Sequence, residues 1–119
     1  MTASSRKARA SETQRIVAAY FAEHGWPYCT DQGAGRQGSD LLGVPGLAVE
    51  IKARRGLDLP AWLRQATREK GLPIVVHRPD GFGPASIELW PATMPLGEFV
   101  RLLRQAGYGD PEIDPTTGA

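Results

Sequence analysis

Cysteine is almost absent from this chain, with Cys29 the single example in 119 residues. One thiol forms no internal disulfide and cannot build a thiolate metal site, so the chain reads as a protein of a reducing, cytoplasmic setting with Cys29 as a small buried hydrophobe. Long apolar runs are missing as well. None approaches the ~20 residues that cross a bilayer, and residues 1–10 lack the apolar stretch of a secretion signal, so no membrane partner is expected. The two histidines, His24 and His77, have no partner at a zinc-ligand spacing. At this length the chain reads as one domain over residues 1–109, too short for a core plus a separate substrate domain. The remainder, residues 110–119, has proline and glycine without periodicity and is expected to be a disordered acidic tail.

Net charge of one sign is also lacking, since 14 basic residues face 13 acidic ones. The distribution is nevertheless uneven. Asp110, Glu112 and Asp114 fall in the tail, where Lys and Arg do not occur, leaving 10 of the 13 acids against all 14 basic residues in the body. Arg6, Lys7 and Arg9 form a basic arm at the start, Arg36 lies in a glycine-rich loop, and six basic residues fall between 52 and 70 against Asp58 and Glu69. Such clustering suits a phosphate backbone, although each basic residue taken singly is explained by a solvated face.

The apolar pattern orders the elements. Ser11 and Gln14 read as a capping box opening a helix that carries Ile16, Val17, Ala19 and Tyr20 and stops at Gly25. Trp26 to Thr30 reads as a short strand, and residues 31–38 as a polar loop with three glycines, mobile without a ligand. Ser39 to Leu42 and Leu47 to Ala53 read as a hairpin about the turn Gly43-Val44-Pro45-Gly46. Asp58 caps a second helix running to about Lys70, with Leu59, Trp62, Leu63 and Ala66 inward and Gly71 as its stop. Leu72 to His77 is a β-branched strand, Ala85 to Trp90 an alternating one, and Met94-Pro95 opens a last helix with Leu96, Phe99, Val100, Leu103 and Ala106 as its stripe, closed by Gly107. The predicted order is α, β, β, β, α, β, β, α.

Chemistry gathers around the hairpin. Glu50 and Lys52 are two apart on a strand and share a face, with Val49 and Ile51 turned inward, and the hairpin sets Asp40 directly opposite Glu50. Two carboxylates and an ammonium then converge. Carboxylate oxygens suit Mg²⁺, which completes its shell with water and phosphate oxygens, and a neighbouring lysine orients water or neutralises charge on a phosphate. A cross-strand charge pair on a solvated face is the plain alternative for the same residues.

Order and residues together resemble the PD-(D/E)xK nuclease superfamily, and within it the archaeal and phage type of Holliday-junction resolvase, over residues 6–106. The segment from Leu59 through Pro79, with Val75-Val76-His77-Arg78, looks like resolvase-like proteins of actinobacterial phages. The resemblance implies an α/β fold of restriction-endonuclease-like type, a mixed sheet flanked by helices. It maps the family's first-helix acid to Glu12, its aspartate to Asp40, its E-x-K to Glu50 and Lys52, and its following-helix glutamine to Gln65. Ser39 stands where the family's proline would. By the same resemblance Asp40, Glu50 and the Ile51 carbonyl hold Mg²⁺, with Mn²⁺ substituting, Glu12 holds a metal-bound water or second metal, and cleavage leaves a 5′-phosphate.

DNA, as four-way junctions, is the implied partner. Arg6, Lys7, Arg9, Arg36, Arg54, Arg55, Arg64 and Arg68 are the candidate phosphate contacts. A homodimer follows if a two-fold protein cuts a two-fold junction, with Trp90, Leu96 and Phe99 as candidate interface residues. Two other readings stay open: a nicking or repair nuclease acting on flaps, mismatches or duplex, and a catalytically silent DNA-binding module. Glu12 also has an ordinary role, since an acid in a first helical turn is favoured by the helix dipole.

Overall fold

A computed structural model describes residues 3–33 and 38–112. It is an α/β structure with mixed sheets flanked by helices. Helix α1 spans Ala3–Glu23, followed by strands β1 (Thr30–Asp31), β2 (Leu41–Leu42) and β3 (Leu47–Lys52), helix α2 (Leu59–Thr67), strand β4 (Leu72–His77), a 3₁₀ helix over Pro84–Leu89, strand β5 (Ala92–Thr93) and helix α3 (Leu96–Gln105). The order of α and β elements follows the predicted one. Strands β3 and β4 pair in parallel, β4 and β5 antiparallel, and β1 and β2 form a separate antiparallel pair.

Strand β3 is the centre of the molecule, with all but its end residues buried. Val49 and Ile51 enter a core with Val17 and Ala18 of α1, Cys29, Leu41, Val44 and Trp90. On the opposite face Val75 packs with Trp62 and Ala66 of α2. A strand covered by helices on both faces is the setting in which parallel pairing is stable.

Five expectations are corrected. The first helix starts eight residues before Ser11, because Arg6, Lys7, Ala8, Arg9 and Ala10 are all good helix formers, so Ser11 and Gln14 sit inside it and no capping box forms. The basic arm is thereby helical. Trp26 to Thr30 is largely turn, bonded through the Cys29 amide to the Trp26 carbonyl at 2.9 Å, and strand pairing begins only at Thr30. Ala85 to Trp90 is mostly the 3₁₀ helix, since Gly83-Pro84 starts a tight turn and Ser86 Oγ donates back to the Gly83 carbonyl at 3.0 Å, and the strand pairing β4 is Ala92–Thr93 instead.

The hairpin between β2 and β3 is the fourth. Leu41 and Leu42 pair with β1, not β3, and Asp40 lies beside Val49 and Ile51 rather than opposite Glu50. The Asp40 amide donates to the Val49 carbonyl at 2.9 Å, after which its side chain takes over from the diverging backbone. The second helix ends at Thr67, three residues short of Lys70. Asp58 caps it as expected, its carboxylate accepting from the Ala61 amide at 3.3 Å.

Candidate active site

Three elements bring the site together at the carboxyl end of β3. The alternation of β3 puts Glu50 and Lys52 on the face covered by α2, away from Val49 and Ile51. Asp40, on the segment entering β2, reaches the same place by a side-chain bond: its Oδ2 accepts from the Ile51 amide at 2.6 Å. Across from them, Gln65 of α2 accepts through Oε1 from the Lys52 ammonium at 2.9 Å. The geometry brings Asp40, Glu50, Lys52 and Gln65 to one end of β3.

Peptide orientation accounts for Ile51. The Lys52 carbonyl accepts from the Arg78 amide at 2.8 Å on the β4 side, so the neighbouring Ile51 peptide groups face the other way, towards Asp40.

Electrostatics mark the two acids as a strained pair. Glu50 is only 2% exposed. Burial, then the Asp40 charge, push its carboxyl up to about 7, against the opposing pull of Lys52. Burial raises the Asp40 carboxyl too, opposed by the Ile51 amide, by Lys52 and by a hydrogen bond from Glu50. A proton held between the buried Glu50 carboxyl and the half-buried Asp40 carboxyl offsets their repulsion, and like charges this close favour a bound cation once both ionise. Two carboxylates and a backbone carbonyl, without a third acidic ligand, fit Mg²⁺, which keeps waters and phosphate oxygens in its shell. Among the described residues no group of three or more His, Cys, Asp or Glu side chains gathers closely enough to hold a metal by itself.

Glu12 faces Arg78. Its carboxylate lies 3.5 Å from Arg78 Nη1, and the charges acting on Glu50 are those of Asp40, Lys52 and Glu69. Arg78 is buried, and donates also to Thr13 Oγ1 at 3.0 Å and the Phe82 carbonyl at 2.8 Å, with its guanidinium over the Trp90 ring. Glu12 thus meets the counter-charge of a buried arginine.

The basic residues divide. Arg54, Arg64 and Arg68 are exposed, as are Arg6 and Lys7 on the first turns of α1. Arg55 forms an exposed ion pair with Asp80 at 2.9 Å, and Arg9 donates to the Pro79 carbonyl at 3.4 Å, so both ends of the basic surface meet at one turn. Arg36 lies outside the described residues, as does the rest of 34–37 in the glycine-rich loop whose mobility the sequence suggested.

Glu69 and His77 were missed. Glu69 adds to the upward push on Glu50, and it lies in the turn after α2, two residues past Thr67, where helical spacing from Gln65 no longer applies. His77 needed the β3–β4 register, which the sequence does not print. No family model, no curated protein and no solved structure matches this chain.

Proposed function

We propose that the protein is a Mg²⁺-dependent endodeoxyribonuclease of restriction-endonuclease-like fold that hydrolyses phosphodiester bonds in branched DNA, with the four-way junction as its substrate. The observation that carries the reading is the convergence of Asp40, Glu50, Lys52 and Gln65 on one end of β3, with both carboxyls raised. The resemblance to junction resolvases supports the choice of substrate.

In this reading Asp40, Glu50 and the Ile51 carbonyl hold the cation. The bound cation supplies Lewis-acid polarisation of the scissile phosphate and a water of lowered pKa. Lys52, steadied by Gln65, presents its ammonium to the phosphate oxygens and neutralises charge as it develops there. Arg54, Arg64 and Arg68 attract the flanking backbone, with Arg6 and Lys7 extending the basic surface along α1. One site per chain cuts one strand, so symmetric resolution of a junction calls for a two-fold homodimer. The buried lone Cys29 suits a reducing cytoplasm.

The test is cleavage of a synthetic four-way junction beside a linear duplex of the same sequence, with Mg²⁺, with Mn²⁺ and with chelator. Paired nicks on the junction alone, lost in chelator and in Lys52→Ala, are expected. Equal cutting of the duplex makes the protein a general or repair nuclease, and binding without cutting makes it a silent DNA-binding module.

A further inference from the structure

Lys52 is the last residue of β3, and terminal strand residues fray unless something beyond them is tied down. Two bonds fasten this end. One is the Arg78 amide to the Lys52 carbonyl, at 2.8 Å. The other comes from His77, whose Nε2 lies 2.9 Å from the carbonyl of Arg54, two residues past Lys52. A carbonyl only accepts, so Nε2 carries the hydrogen. In the β3–β4 register His77 is the direct partner of Lys52, and paired residues project to the same face. The imidazole is buried, its ring 5.4 Å from that of Trp62 and tilted by 50°. Trp62 precedes Gln65 by three residues on α2, so the two are neighbours on the helix surface. One ring therefore touches the chain that carries Lys52 and the helix that carries its hydrogen-bond acceptor.

We propose that His77 is a positioning residue for the Lys52–Gln65 pair. Its hydrogen bond fixes the backbone beyond Lys52, and its packing on Trp62 fixes the distance to Gln65. A ring of similar size without the donor keeps the packing and releases the strand end. An amide keeps the donor and so restores the register. The inference rests on the nuclease reading for its effect on rate, and on geometry alone for its effect on Lys52.

Two readouts separate these. Lys7, Lys52 and Lys70 are the only lysines, so the side-chain ammonium signal of Lys52 is resolvable by ¹⁵N NMR, and its proton exchange is slowed by the bond to Gln65. In His77→Phe that signal should be lost, with those of Lys7 and Lys70 unaltered, and in His77→Gln it should return. Single-turnover junction cleavage should fall about tenfold or more in His77→Phe and recover in His77→Gln, since misplacing a catalytic group by ~1 Å costs up to about a hundredfold. DNA affinity in Ca²⁺ should fall less than the cleavage rate, by about threefold at most, because Arg54 is the one phosphate contact on the released segment and Arg64, Arg68, Arg6 and Lys7 lie elsewhere. A Lys52 signal and cleavage rate unchanged in His77→Phe overturn the proposal, as does a loss that His77→Gln fails to restore. If the unsubstituted protein cuts no DNA, the nuclease reading fails while the ammonium signal still decides the role of His77. Should His77→Phe not fold, His77→Leu replaces it, and failure of both to fold assigns His77 to stability alone and overturns the proposal.

Discussion

Burial and the neighbouring Asp40 charge lift the Glu50 carboxyl from its ordinary 4.5 to about 7, so between those values the folded chain binds a proton that the unfolded chain has released. Stability then falls as pH rises through that window, because the native state holds the extra proton. At roughly 1.4 kcal/mol per pH unit the penalty at pH 8 is on the order of 3 kcal/mol, and the raised Asp40 adds to it in the same direction. Glu50→Gln removes the titrating group. Its metal-free melting temperature should exceed that of the unsubstituted protein at pH 8 and match it at pH 5, as calorimetry in chelator will show. Added Mg²⁺ should raise the melting temperature of the unsubstituted protein at pH 8 and leave Glu50→Gln unmoved. Glu50 and Lys52 were legible in the sequence because a two-residue period is local. Gln65 and Glu12 needed the family resemblance, and His77 and Glu69 needed knowledge of which strand and helix lie against β3.

Elements were legible where their signals were chemical and local. The cap at Asp58, the parallel-ready strand Leu72–His77 and the start of α3 at Pro95 all stand where expected. The failed hairpin shows the limit: alternation announces a strand and leaves its partner unstated, and here β3 took β4 after a helical crossover. Gly71 makes that crossover possible. Its φ of +116° is left-handed, and an added Cβ would lie 2.7 Å from the Gly46 carbonyl oxygen, whose bond to the Leu72 amide starts the β3–β4 pairing. Gly71→Ala should therefore cost about 1–3 kcal/mol or more in urea unfolding. Gly56→Ala, with open space around it, should stay within about 0.5 kcal/mol. A smaller effect at Gly71 than at Gly56 removes the close-approach argument.

For the molecule as a whole, α3 is the unfinished part. None of its residues is buried, and Leu96 is 75% and Phe99 46% exposed, while Trp90, expected beside them at an interface, belongs to the core. Exposed apolar side chains on one helix would suit the homodimer proposed above. Light scattering should accordingly show a dimer that Phe99→Glu converts to monomer, with helix content retained. A monomer at micromolar concentration before substitution removes the two-fold reading. Among the described residues no helix is long and apolar enough to cross a membrane.

The crossover from β3 through α2 to β4 divides the site by how its halves are held. Glu50, Lys52, Gln65 and His77 all lie within residues 47–77, where six paired positions join β3 to β4, whereas Asp40 stands before that unit and is tied to it by its amide to the Val49 carbonyl and its carboxylate to the Ile51 amide. Half of the cation site then belongs to a strand-paired unit and half to a segment that can open locally without breaking that pairing. Amide exchange should be slowest along β3 and β4 and faster at Ile51, whose amide is guarded by the Asp40 carboxylate and not by a neighbouring strand.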